Sequence, residues 1–562
     1  MKRYIATTAA AILACLSANA QNFNPKVEVT NDFETNMKDV SKRTLKMNVP
    51  DSLTSFDYKF DYSVFENPYK GAYEFSPYAV QVAPDAQVYS GQRFYLRAGA
   101  GYTIHPVLDF VYSPDPKDSF RMSVYNNAGG YYGKYRNIYS NGGATLVDNG
   151  SRRNGMDLSE KFGVELSKNF KPVLLNVGAE YNGLFTQGLF QTEAKPLAMF
   201  HQGKLGVGVV SNPGSMFDYE ANASYSYGYE TFESISEGLF RLNGGFAPKL
   251  DKIYDIRVDA DFLTGSLAVG SNRLVNEIAI KPKFLLNAGF LDLKAGVNLS
   301  SATGLNLHVY PDIHIDVKLF KGAAAFYAVF TGTDRACTYS SYKFQNHFFD
   351  TANYVSVQEA IARGGEASDM FVGYREKMDA YAGFKGHAGS HFSFDIKGGY
   401  RSFDNAPVTI LDQVSLPVFN VNYKPTVGRS DYNQVFAQLS MNVTTERFDM
   451  DADVLYRNCF NTPAYVLDPA LVAGQIAMTY NWNKRFYLGL CAEAATERSV
   501  TAPVKLAIPW YVDLGVNAEY RLNRKWAIWV KGGNLLNQTI QRTPVYAEQG
   551  INFTAGICLR LR

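Results

Sequence analysis

The sequence has no apolar run long enough to cross a membrane as a helix: beyond residue 20, nothing approaches the roughly 18 to 20 consecutive apolar residues such a span needs. That excludes a helical membrane protein. Charge of one sign is missing too, since 55 Lys and Arg nearly cancel 53 Asp and Glu, so no basic field exists to draw nucleic acid. Cysteine is scarce. Besides Cys15, the chain carries Cys337, Cys459, Cys491 and Cys558, too scattered for a disulfide framework or for close-spaced metal ligation. Cys337 and Cys459 fall in or beside expected surface loops, where one bridge is conceivable and two inert thiols are favoured. Tryptophan numbers 4 against 38 Tyr and 38 Phe. One core does not use that many rings; aromatic girdles at two membrane interfaces do.

What is present begins with a leader. Lys2 and Arg3 form a positive start, Ile5 to Leu16 a short apolar segment, and Ala18, Asn19 and Ala20 a small-residue cleavage site before Gln21. Residues 1–20 are expected to be a signal peptide, so the mature chain leaves the cytoplasm. The neighbours of Cys15, Leu13-Ala14 and Leu16-Ser17, fit a lipoprotein signal poorly.

The dominant signal is alternation. From Leu305 to Leu319 every odd position is apolar and every even one is polar or Tyr, the period of a strand with one oily face. Tyr254 to Phe262, Leu291 to Leu299 and Phe448 to Val454 repeat the pattern, and the acidic second faces of the first and last are too polar for a protein core. Sandwich strands usually run about five or six residues, whereas these mostly persist for the nine or more that a tilted strand needs to cross hydrocarbon. The fold class is therefore all-β: a transmembrane antiparallel β-barrel of about 22 strands over 92–562, an even number as single-chain barrels prefer. Tight turns such as Asn169-Phe170-Lys171, Asn212-Pro213-Gly214, Phe320-Lys321-Gly322, Thr445-Glu446 and Asn523-Arg524 are expected at the periplasmic rim. The longer connections 130–153, 333–375, 403–429 and 458–470 are expected outside. Residues 21–91, polar with scattered aromatics, form a short N-terminal periplasmic arm that can tuck into the lumen.

Near the end, Lys525 to Asn537 with Asn534-Leu535-Leu536-Asn537, then Tyr546 and Gly550-Ile551-Asn552-Phe553, resemble the close of TonB-dependent receptor barrels, where an Asn-Leu-Phe-Asn-like loop precedes the last strand. Arg93 to Tyr102 after its polar arm is similar to the opening of plugless barrels of this kind in Bacteroidota. The resemblance implies an outer-membrane barrel involved in transport. It departs from the family in two ways: the arm is shorter than the family's plug domain and matches none of it, and the chain ends in Arg562 where a terminal Phe is common.

Candidate sites follow from the two faces. Asp255, Arg257, Asp259 and Asp261, then His308, Asp312, His314 and Asp316, and Asp449, Asp451 and Asp453 are lumen-lining candidates, able to make a selective pore or, the favoured reading, to pair with cations across neighbouring strands. Strand neighbours two apart lie too far from each other to share one metal unaided; no metal or other cofactor is expected. Tyr131, Tyr132, Tyr135, Arg136 and Tyr139 are candidates for an extracellular binding loop, with aromatic and basic donors suited to a sugar or a protein, or for a constriction at the mouth. Trp510 and Tyr520, ten residues apart on one face, would mark the membrane interfaces. Ser356-Val357-Gln358-Glu359 is a capping box for a short loop helix. Ser340, Ser341 and His347 share a loop, but nothing in the sequence fixes them as nucleophile and base, so no enzyme is expected. The leading expectation is a receptor-like barrel in transport or in a transport or assembly complex. Its alternatives are a non-conducting structural barrel supporting surface lipoproteins or the assembly machinery, and a passive diffusion channel. Outer-membrane lipids and surface lipoproteins or other outer-membrane proteins are the expected partners; the solute is not legible.

Overall fold

The computed structural model describes residues 93–561, apart from 118, 141–144, 189–196, 213–214, 233, 249, 251–252, 270, 350–369, 417–420 and 502–504. The expected leader, the arm and the Ser356 capping box lie outside the described residues.

The first strands are β1 (Phe94–Tyr102), β2 (Val107–Tyr112), β3 (Phe120–Ser140), β4 (Leu146–Asn169), β5 (Val173–Gln187), β6 (Ala198–Ser211), β7 (Phe217–Glu230) and β8 (Ile235–Pro248). There follow β9 (Tyr254–Val269), β10 (Ser271–Asn287), β11 (Leu291–Ala302), β12 (His308–Leu319) and β13 (Ala324–Arg335), then the helix α1 (Tyr339–Gln345). Next come β14 (Tyr374–Ala388), β15 (Phe392–Leu416), β16 (Val421–Thr444), β17 (Phe448–Phe460), β18 (Val472–Trp482) and β19 (Phe486–Ala495). A small hairpin of β20 (Arg498–Val500) and β21 (Leu506–Ile508) leads to β22 (Tyr511–Arg521), β23 (Trp526–Gly533), β24 (Tyr546–Glu548) and β25 (Asn552–Leu561).

Each wall strand pairs antiparallel with the next, and β25 returns to β1 in the register Phe94↔Leu561 through Tyr102↔Phe553. The result is a closed 22-strand barrel, which leaves no edge with unpaired backbone groups. β20, β21 and β24 stand outside the wall; β24 adds to the upper part of β3.

Alternation places one face of every strand outward. Leu205, Ile256, Val309, Ile396, Leu488, Val530 and Ile557 all remain exposed on that face, an apolar belt that a hydrocarbon solvent would cover. Trp510 and Tyr520 also lie bare on it, at 60% and 44% exposure.

The expected 22 strands all appear. The differences lie in the connections: 130–153 and 403–429 are mostly strand, because β3, β4, β15 and β16 run on far past the belt. Above the membrane neither face must be apolar, so the alternation that marks a strand fades while its pairing continues.

At the closing seam, Gly99 and Gly556 lie under the indole of Trp529, where any added Cβ would meet the ring or the neighbouring strand's backbone. Trp529 is 2% exposed, donates to the Ile557 carbonyl at 3.3 Å and carries the Arg97 guanidinium 4.1 Å above its ring. Trp529→Ala is expected to cost about 3–5 kcal/mol, read as a lower denaturant midpoint for the folded barrel. Gly99→Leu should instead prevent closure and abolish the heat-modifiable gel mobility of the folded form.

Candidate functional site

Inside the wall lies a cavity of about 2100 Å³. It reaches down to Thr445, Glu446 and Arg521 at the rim of short turns, and up to Phe344, His347, Phe348, Tyr135 and Tyr546 at the rim of long loops.

Its middle is lined by ladders of charge that pair across strands. Arg257 bridges Glu220 and Asp259; Lys283 joins Asp259 at 3.2 Å to Asp312 at 3.1 Å; and His314 bonds Asp312 at 2.9 Å. Above this relay, Arg241 grips Asp261 with two hydrogen bonds of 3.0 and 2.8 Å. Lys385 meets Asp316 at 3.0 Å. On the acid-rich wall, Asp451 accepts from Asn442 at 2.5 Å, and Asp453 from Gln438 and Ser440; Asp449 lines the same cavity. Apart from Asp312, which is 2% exposed, these groups are part-exposed and their pairs contribute about 0–1 kcal/mol each, so they set the polarity of the lumen more than its stability. Two lumen candidates sit elsewhere. Asp255 accepts the Leu250 N–H close to the turn rim, and His308 bonds the fully buried Asp334, which also holds Tyr310.

The roof was not legible as such. The connection between β13 and β14 folds inward, and α1 packs Tyr339, Tyr342, Phe349, Met370 and Phe371 against Leu184, Phe200, Ile235, Leu239, Leu263, Leu267 and Val275. Those wall residues occupy lumen-facing positions, where charge prevails lower down. Apolar residues on the polar face were the available signal. Two wall carboxylates fasten the segment: Glu237, 1% exposed, accepts the N–H groups of Tyr339 at 2.6 Å and Ser340 at 3.1 Å, and Glu277 accepts that of Ala336 at 2.8 Å. The first turn of α1 thus spends its unpaired donors on a buried anion. Thr338 closes the turn in a capping box with Ser341. Ser340 and Ser341 belong to this cap, while His347 turns to Asp157 at 2.7 Å.

The second half of the roof corrects the reading of Tyr131 to Tyr139 as a loop. They are the upper part of β3, with Tyr131 and Tyr135 at 1% and 2% exposure and Tyr139 half-buried. Tyr132 alone of the five is well exposed. Tyr135 meets Phe348 and Tyr546 edge-on, and Phe348 stacks on Tyr546 at 3.9 Å. Arg136 donates to Thr539 and to the side chain of Asn537, each at 2.7 Å. Asn534 and Asn537 take left-handed backbone, which asparagine tolerates; that conformation is what the Asn-Leu-Leu-Asn stretch supplies. Leu411, Leu467, Val500, Leu506 and Ile508 complete one apolar core from loops all round the rim. Cys337, Cys459, Cys491 and Cys558 are free thiols.

No protein-family model and no curated protein sequence matches the chain. Solved structures do. The siderophore receptor PirA from Acinetobacter baumannii superposes with a TM-score of 0.62 at 10% identity, over 83% of this chain and 80% of its own. The apoprotein form of the FrpB iron transporter from Neisseria meningitidis gives 0.62 at 9%, over 83% and 81%. A ferric enterobactin receptor mutant from Pseudomonas aeruginosa in complex with enterobactin gives 0.60 at 8%, over 84% and 82%. The fold is shared with siderophore receptors. Identity this low carries the architecture alone, so the site must be argued from its own residues.

Two outcomes follow. Glu237→Ala should release the first turn of α1 and speed hydrogen exchange at the Tyr339 and Ser340 amides by about tenfold or more, since hydrogen bonds to a charged group contribute about 1.5–3 kcal/mol. In the turn between β1 and β2, burial disfavours charge on His105, but the Glu548 carboxylate 3.1 Å away outweighs it and raises the imidazole above its usual 6.5. That stabilisation is complete below the unfolded value of about 6.5 and is lost as pH rises through the higher folded value. Glu548→Gln should therefore flatten the pH dependence of unfolding in that window.

Proposed function

We propose that the chain is a TonB-dependent-receptor-like outer-membrane barrel that acts in transport across the outer membrane, or within a transport or assembly complex there. The observation that carries this reading is the charged cavity running from the turn rim to the aromatic roof. A barrel whose only task was to anchor would gain nothing from ladders of ionised groups around a void that size. The apolar belt supports a membrane setting, and the likeness to siderophore receptors and an iron transporter supports transport as the class. In this reading the turn rim faces the periplasm and the loop rim the exterior, as loop lengths in such barrels dictate. Residues 1–20 are the export signal. Residues 21–91 replace a folded plug, entering the lumen from the periplasm, in the manner of plugless Bacteroidota barrels. The lumen ladders of Arg257, Asp259, Asp312 and His314 set the selectivity of what passes. Lipid surrounds the belt, and surface lipoproteins or other outer-membrane proteins are the protein partners.

A second reading, a non-conducting barrel that supports surface lipoproteins or the assembly machinery, draws on the roof, whose apolar core joins loops from around the mouth. Planar-bilayer recording of the purified protein separates the two. Transport predicts low conductance in the full chain and a stable open state once residues 21–91 are deleted together with the Glu237→Ala change. Silence in both, with lipoproteins co-purifying, would overturn the transport reading.

A further inference from the structure

Three neighbouring turns at the rim of short connections carry cations that the fold itself does not use. They join β16 to β17 (445–447), β18 to β19 (483–485) and β22 to β23 (522–525). Together they hold Arg447, Lys484, Arg485, Arg524 and Lys525 against one acid, Glu446, which lines the lumen. All five cations are exposed, and among the described residues no carboxylate pairs with any of them. The turns are fastened by other means. Thr445 accepts the Phe448 N–H at 2.9 Å, Asn481 accepts that of Lys484 at 2.7 Å, and Asn523 accepts those of Lys525 and Trp526 at 2.8 and 2.9 Å. Lys484 takes left-handed backbone, φ 57°, where glycine is the ordinary choice. Folding alone therefore gives no reason for these charges.

Directly beside these turns the outward face is a strip of rings and aliphatic side chains. Trp482, Tyr520, Leu522 and Trp526 are 63%, 44%, 47% and 41% exposed, and Phe486 pairs in register with both Trp482 and Tyr520. Arg485 leans over this face, its guanidinium 6.0 Å from the centre of the Tyr520 ring. Exposed indole and phenol rings mark the headgroup level of a bilayer, so the cations stand where phosphodiesters stand. β17 pairs with β18 and β19 with β22, which sets neighbouring turns two strand spacings, or about 10 Å, apart. An apolar rim does not by itself bring such charge. The turns 212–216 and 288–290 present Met216 and Phe290, 76% and 64% exposed, without one Lys or Arg.

We propose that the rim from β16 to β23 is a binding site for anionic phospholipid, its phosphodiester held between the Lys484-Arg485 and Arg524-Lys525 pairs and its acyl chains lying along Trp482, Phe486 and Tyr520. The site rests on the membrane setting argued above and is independent of whether the lumen conducts. Clustered cations beside a bilayer draw net negative headgroups, while the flat rings cover the start of the chains. A zwitterionic lipid brings the same phosphate with a cation of its own, so it is the weaker ligand.

The test is native mass spectrometry of the full chain in mild detergent, with heat-modifiable mobility confirming that each variant is a folded barrel. Added phosphatidylglycerol should be retained by the wild type about tenfold better than phosphatidylcholine with the same chains. Lys484→Gln with Arg485→Gln, and Arg524→Gln with Lys525→Gln, should each lower retention of phosphatidylglycerol by about tenfold or more and leave that of phosphatidylcholine unchanged. Lys168→Gln with Lys171→Gln, at the turn between β4 and β5, should alter neither, and excess inorganic phosphate should not displace the lipid. Should a paired exchange fail to fold, the wild type in mixed vesicles supplies the second measurement. Bromines on the chains of a minor fraction of phosphatidylglycerol should quench Trp482 and Trp526 fluorescence more than bromines on the same fraction of phosphatidylcholine. Equal retention of the two lipids, indifference to both paired exchanges at β18 to β23, displacement by phosphate as from a free-anion site, or equal quenching would overturn the proposal. Conductance bears on the transport reading alone, so the two fail separately.

Discussion

Everything in this molecule depends on the pairing of β1 with β25. A sheet of this width surrounded by hydrocarbon tolerates no unpaired N–H or C=O, so the wall is either continuous or unstable. Closure fixes the even strand count, the shared register round the ring and therefore the direction of every side chain. Once Phe94 stands opposite Leu561, the parity of each residue decides whether it meets lipid or lumen. The polar cavity and the apolar belt are two readings of that one constraint.

Parity also explains how the lumen can carry so many charges without a comparable gain in stability. Arg257, Lys283 and His314 sit among Glu220, Asp259 and Asp312 in a relay that crosses several strands. In this network Arg257 and Lys283 are each shared between two carboxylates, so a passing solute ion can replace one partner at little cost. A lumen of that kind resists collapse and stays wettable. The roof works by opposite means: buried rings from β3, β24 and the loop after β13 exclude water, and the buried Glu237 is met there by backbone N–H groups.

How much of this was legible follows from the solvent each part meets. The strands from 254 to 319 announced themselves because lipid on one side and water on the other force a period of two. Asp259, Asp261, Asp312 and His314 could be assigned to the lumen face for the same reason, and the structure lines the cavity with them. Above the belt both faces of β3 meet protein, the contrast vanishes, and Tyr131 and Tyr135 looked like loop although they are the inner rings of a roof. The role of Glu237 was hidden for a different reason. Its partners are backbone amides more than a hundred residues ahead, and main-chain donors leave no trace in a sequence.

The seam at Trp529 has a consequence for how the protein comes into being. Its glycines and indole belong to strands from the two ends of the barrel domain, so the ring cannot shut until the last segment has been made and delivered. Until then β1 is a bare edge of maximal sequence separation from its mate, the least favourable case for spontaneous folding and the most exposed to false pairing. Whatever inserts this chain must hold its first strand in reserve and release it last. The flat indole over bare backbone then serves as the fastening of the closed ring.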